Sequence, residues 1–141
     1  MLRFPLFTIG WAWKEEYGSP QDNKEHFEYI YKYSPLHAIP QAATQYPAML
    51  VLTADHDDRV VPAHSYKYAA QLQYELGAKL ADTPLMIRID TNSGHGAGKP
   101  ISKWIEEYTD IVSFILNSLK IDYKSQSVVK RYVLTKFGRK L

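Results

Sequence analysis

Tyr46-Pro47-Ala48-Met49-Leu50-Val51-Leu52-Thr53-Ala54-Asp55-His56-Asp57-Asp58-Arg59-Val60-Val61-Pro62 passes from a turn, through an unbroken apolar run, into a burst of charge. The run from Ala48 to Leu52 is short and bounded by turn residues, which favours a strand over a helix. Its lack of alternation is the pattern of a parallel strand buried on both faces. From about Ala63 to Leu76, Ala69, Leu72 and Leu76 fall on one helical face, and Gly77 marks the end. Leu85-Met86-Ile87-Arg88-Ile89 reads as a second strand, which runs into the loop Thr91-Asn92-Ser93-Gly94-His95-Gly96-Ala97-Gly98. Pro100, a favoured first-turn residue, opens a last helix whose apolar face is Ile101, Ile105, Tyr108, Val112, Ile115 and Leu119. Strand and helix in alternation predict a parallel α/β sheet flanked by helices.

Upstream, the first twenty residues are aromatic and irregular, broken by Gly10, Gly18 and Pro20. Asp22 followed by Glu25 predicts a capped helix that ends near Tyr33, where Ser34-Pro35 stops it. There is no internal repeat. Two strands are too few for a stable sheet covered on both faces, so the chain reads as the closing third of a larger α/β domain.

The 141 residues are 45% hydrophobic and 23% charged, the balance of an ordinary globular domain. Eleven tyrosines and three tryptophans suit a packed core or an apolar pocket. The chain has no cysteine, so it forms no disulfide, zinc–thiolate site or Cys nucleophile. That composition fits a reducing compartment, and the cytoplasm is the expected location. No apolar run is long enough to span a membrane, and the N-terminal segment lacks a small-residue cleavage site. The net charge of +2 conceals an asymmetry: residues 1–122 hold all 15 acids and 11 of the 17 bases. The other six bases stand in residues 123–141, without an acid. A basic extension from Lys124 is therefore expected as a solvated, disordered end, and the body offers no nucleic-acid footprint.

Ligands of open α/β sheets bind past the carboxyl ends of the strands. Asp55 to Arg59 and Gly94 to Gly98 both occupy such positions, so Asp57 or Asp58 can lie beside His95. A carboxylate next to an imidazole fixes its tautomer and stabilises the imidazolium. Glycines at 94, 96 and 98 allow a tight loop around His95. Acid then histidine at successive strand ends is the order of the last two triad members in α/β hydrolases, whose nucleophile precedes them on a Gly-x-Ser-x-Gly elbow. None of the nine serines has that context. Bland alternatives stand beside this reading. Asp57 as a turn residue, Trp11 and Trp13 as core aromatics, and His26, His37 and His64 as packing residues are all compatible with the sequence. Asp58 is read as orienting Arg59 or capping the next helix. A metal cluster built from Asp55, His56, Asp57, Asp58 and His64 lacks a His-x-Glu or His-Glu-x-x-His signature, and none is expected.

The segment 46–62 resembles the acid loop of the prolyl oligopeptidase family, and Gly94-His95-Gly96-Ala97-Gly98-Lys99-Pro100 resembles its histidine loop. Thr8-Ile9-Gly10-Trp11-Ala12-Trp13, Tyr17-Gly18 and Tyr33-Ser34-Pro35-Leu36 look like further family segments in order, so the resemblance covers about residues 1–123. It implies the C-terminal portion of an α/β-hydrolase domain and a serine-type endopeptidase that cleaves after proline in short peptides, without a cofactor. It implies Asp57 as triad acid, His95 as triad base and Arg59 as the group that binds a substrate carbonyl. Trp13, Tyr17 and Val60 become walls of the proline pocket. The serine elbow, the oxyanion donors and the β-propeller are not in this sequence, and the tail departs from the family. Met1 then stands where an internal methionine of a longer chain would, the reading of a truncated gene model or gene fragment. The competing reading is a non-catalytic remnant or an interaction module that works through the basic tail.

Overall fold

A computed structural model describes residues 1–42 and 44–122. The basic extension expected over 124–141 lies outside the described residues. Two 3-10 segments, Phe4–Leu6 and Thr8–Trp13, lead into a one-turn helix, α1 (Lys14–Tyr17). They are followed by α2 (Lys24–Tyr33), β1 (Met49–Ala54), α3 (Ala63–Leu76), β2 (Leu85–Asp90) and α4 (Ile101–Ser118).

α2 starts one residue later than its sequence suggests. Asn23, not Asp22, caps it, its side chain accepting from the amides of Glu25 and His26. Asp22 is drawn away by Ser19 Oγ and Lys14 Nζ, each 2.6 Å from its carboxylate, and so ties α1 to the turn before α2. The stop falls where Ser34-Pro35 predicts it: Ser34 is extended ahead of Pro35 and fully buried.

β1 and β2 pair in parallel, Met49 opposite Leu85 through Ala54 opposite Asp90. α3 crosses between them and covers the face that carries Met49 and Leu85, where Leu72 and Leu76 form the core with them. Gln73 Nε2 donates to the Leu85 carbonyl at 2.7 Å and pins the helix to the strand. Expected burial on both faces of β1 is not met. On the opposite face Leu52 and Met86 are 43% and 52% exposed.

α4 lies on that opposite side, where Arg88 Nε meets Asp110 Oδ2 at 2.7 Å. Its apolar stripe has the helical period read from sequence, but none of its six members is buried, their exposure running from 46% to 78%. Ion pairs help to hold the helix, alongside half-buried Ile111 and Phe114: besides Arg88–Asp110, Lys99 pairs with both Asp90 and Glu107. Nothing among the described residues covers the stripe. A contiguous apolar surface of this kind binds partners or itself. The chain on its own should therefore bind an apolar fluorescent dye strongly and associate in solution. A sharply melting, dye-silent monomer would show that the stripe is satisfied within these 141 residues.

Candidate active site

The parallel ladder does not stop at the strand ends. The Asp55 amide donates to the Asp90 carbonyl and the His56 amide to the Ser93 carbonyl, both at 3.0 Å. Between Asp90 and Ser93, Asn92 turns the chain in the left-handed region (φ 51°). Asparagine tolerates that conformation better than most residues. The two loops are thereby laid alongside each other, and Asp55 meets Ser93 as Asp57 meets His95, each across 38 residues.

The Asp57 carboxylate holds His95 Nδ1 with both oxygens, at 2.9 Å (Oδ2) and 3.1 Å (Oδ1). Oδ1 also accepts from the amides of Val60 (2.8 Å) and Arg59 (3.0 Å). The turn role and the pairing role thus coexist in one side chain. Asp57 is only 11% exposed, whereas His95 is 45% exposed. Burial works against ionisation of Asp57, but the Val60 amide, the His95 ring and the Arg59 amide outweigh it and hold the carboxyl below its usual range. An ionised carboxylate only accepts, so His95 Nδ1 carries the proton of this bond. In the neutral ring Nε2 is then the acceptor nitrogen, and it makes no hydrogen bond among the described residues.

Around the pair stand groups that the sequence alone does not single out. Asp55 Oδ1 accepts from His56 Nδ1 at 2.7 Å and from the Ser93 amide at 3.2 Å. The His56 bond, with help from the backbone amides of Asn92 and Ser93, lowers its pKa to about 2. On the far side of Ser93, Lys103 Nζ donates to Ser93 Oγ at 2.7 Å and to the carbonyls of Thr91 and Asn92. Lys99, almost fully buried, forms ion pairs with Asp90 (2.5 Å) and Glu107, and its ammonium stands 5.0 Å from the Trp104 ring centre. The equal spacing of Asp55–Ser93 and Asp57–His95 is present in the sequence. It gains meaning only once the strands are known to pair.

The remaining residues implied by the resemblance come from two distant segments, 13–17 and 59–60, and are not closed into a pocket. Arg59 is exposed, and its side chain makes no hydrogen bond or ion pair among the described residues. Its carbonyl accepts from Thr8 Oγ1 at 2.5 Å, which ties the N-terminal segment to the acid loop. Val60 is 38% exposed, Trp13 36% and Tyr17 52%. Trp13 leans on Phe4 with ring centres 6.5 Å apart. Two shallow hollows follow the histidine loop and include neither Trp13, Tyr17 nor Val60. Asp58 neither orients Arg59 nor caps α3: it makes no hydrogen bond among the described residues, and the residue before α3, Pro62, has no side-chain cap. Of the loop glycines, Gly96 (φ 113°) and Gly98 (φ 73°) need their freedom. Gly94 does not, since a Cβ there would meet only the His56 carbonyl at 3.8 Å. His64 packs edge-on against Phe7, His37 accompanies Ser34, and His26 accepts from the Ser19 amide.

A carboxylate and an imidazole joined at neighbouring ends of a parallel sheet define part of an α/β hydrolase fold. The sequence profile of the prolyl oligopeptidase family matches residues 1–122. The chain is 52% identical over 121 residues to the prolyl endopeptidase of Dictyostelium discoideum, covering 86% of this chain and 16% of that protein. It is 49% identical over 126 residues to prolyl oligopeptidase A of Amanita bisporigera, covering 89% and 16%. Among solved structures, prolyl oligopeptidase B from Galerina marginata, bound to a 35mer hydrolysis and macrocyclization substrate, superposes with a TM-score of 0.77. That match is 40% identical and covers 87% of this chain and 17% of that one. The chain belongs to the prolyl oligopeptidase family. It spans about one sixth of the length of the curated relatives it matches.

The loop geometry makes a titration prediction. Asp55 and Asp57 have depressed folded-state pKa values, so the stability they contribute is present above the unfolded carboxylate pKa of ~3.9 and is lost as pH falls through their folded values. Carboxyl NMR should find Asp55 titrating near 2 and Asp57 below 3.8. Ordinary values for both would mean that the bonds to His56 and the Val60 amide, and those across to Ser93 and His95, are not made.

Proposed function

We propose that residues 1–122 supply the acid and the base of a serine-type endopeptidase that cleaves on the carboxyl side of proline in short peptides. The observation that carries this reading is the Asp57–His95 pair, joined through Nδ1 with the His95 side chain part-exposed. The nucleophilic serine, its oxyanion donors and a β-propeller belong to sequence outside these 141 residues, and they are the first partners of this segment. His95 Nε2 accepts the serine proton as the hydroxyl attacks the carbonyl of the Pro-x bond, then passes it to the leaving amine. Asp57 holds the ring and balances the imidazolium. Arg59 donates to a substrate carbonyl, and its unengaged side chain suits that task. Trp13 lies against the proline ring, with Tyr17 and Val60 beside it. The Thr8–Arg59 bond supports this assignment by joining the segment of Trp13 and Tyr17 to the loop of Arg59 and Val60. The chemistry needs no cofactor. Among the described residues no helix is long and apolar enough to cross a membrane, and the absence of cysteine suits work in the cytoplasm.

By itself the chain should release nothing from a chromogenic proline-containing peptide, because nucleophile and oxyanion donors are lacking. Turnover that a serine reagent stops would contradict this. Joined to the upstream part of the Dictyostelium discoideum prolyl endopeptidase, the chain should complete a working enzyme. There His95→Ala should abolish turnover, and Asp57→Asn should cost on the order of 10,000-fold with the fold intact, since an amide can favour the wrong tautomer. Arg59→Ala removes one charge-assisted bond, worth roughly 1.5–3 kcal/mol, or about 10- to 150-fold in kcat/KM. A larger loss from Asp58→Asn than from Asp57→Asn would move the acid by one residue.

A further inference from the structure

We infer that Asp55 is a positioning residue for His95, acting through Ser93 rather than on the substrate. This rests on the functional reading above. Ser93 stands two residues before His95, and each of its polar atoms is engaged. Its amide donates to Asp55 Oδ1 (3.2 Å), and its carbonyl accepts from the His56 amide (3.0 Å). Its hydroxyl accepts from Lys103 Nζ (2.7 Å) and reaches the Thr91 carbonyl (3.2 Å). Asp55 grips from the end of β1 and Lys103 from α4, so Ser93 is held between two charged side chains on different elements. Between Ser93 and Lys99 the side-chain hold among the described residues is that of Asp57 on the His95 ring itself. Gly94 and Gly96 flank His95, and Gly96 and Gly98 adopt backbone conformations that ordinary residues rarely take. Asp57 fixes the ring, and the hold on Ser93 fixes the backbone from which the ring is presented to Asp57.

Asp55 is well fitted to that task. The His56 ring occupies the same carboxylate oxygen, keeping the side chain ionised and turned toward the histidine loop. Asp55 and Asp57, either side of His56 in the turn that follows β1, grip Ser93 and His95, which are likewise two residues apart. Loss of the first grip lets the second slip, and a displacement of about 1 Å at a general base costs up to roughly 100-fold in rate.

The test uses the chain joined to the upstream part of the Dictyostelium discoideum prolyl endopeptidase. Asp55→Ala should lower kcat about 10- to 100-fold, with KM within about twofold and the melting temperature close to the unsubstituted hybrid. Asp55→Asn keeps an oxygen for the Ser93 amide and should recover most of kcat. Asp55→Ala with unchanged kcat, or a loss carried wholly by KM, overturns the inference while leaving the functional reading intact. So does Asp55→Asn as damaging as Asp55→Ala. A hybrid that folds yet turns over nothing before any substitution overturns the functional reading, and this inference with it.

Discussion

The parallel pairing of β1 with β2 is the constraint on which the rest depends. Met49 through Ala54 lie opposite Leu85 through Asp90, and the ladder runs on through Asp55 and His56 into the next loop. A two-residue slip would leave Asp57 facing a glycine loop instead of an imidazole. α3 supports the pairing by packing Leu72 and Leu76 on the face that carries Met49 and Leu85, and its Gln73 is bound directly to β2. Fold and site are thus one arrangement: the apolar residues set the register, and the register sets which charges meet.

On the other side of the sheet charge adds to partial packing, with Ile111 and Phe114 half-buried. α4 buries none of its apolar residues, and its attachments are Arg88–Asp110, the Lys99 pairs with Asp90 and Glu107, and Lys103 to the histidine loop. Lys99 is withdrawn from solvent; burial opposes its charge, but Asp90 and Glu107 overcome that and keep it ionised. Breaking such a pair by removing one partner leaves a buried charge alone, which is more costly than never having formed the pair. The same ions that hold α4 therefore also hold the turn from which His95 projects. The exposed stripe of α4 and the exposed face of β1 and β2 are surfaces that a larger sheet and its helices would cover.

Much of this arrangement is legible in the sequence itself. The continuous apolar run at 48–52, the period of α3 and the breaker Ser34-Pro35 each have one dominant physical reading, and the elements appear within a residue or two of it. The Asp57–His95 meeting follows from the rule that parallel strand ends gather ligand groups. Other features depend on competition that a linear reading cannot weigh. Asp22 loses the cap of α2 because Lys14 and Ser19 claim its carboxylate. Asp58, beside Asp57, receives no partner among the described residues, because the bend after β1 gives the Arg59 and Val60 amides to Asp57. The ion cluster of Asp90, Lys99, Lys103 and Glu107 joins a strand, a loop and a helix, and no local spacing announces it. The apolar patterns of β1 and α4 overstate their burial for a plain reason: the period shows that a face is apolar, not that its partner is present.

The tautomer of His95 tests the account most directly, because the Asp57 pair, the acceptor Nε2 and the role of the loops all converge on it. Nitrogen NMR of the reassembled enzyme with labelled histidine should show the His95 proton on Nδ1, in a strongly downfield hydrogen bond that disappears with Asp57→Asn. A proton on Nε2, or an imidazole whose signals ignore Asp57→Asn, would contradict it.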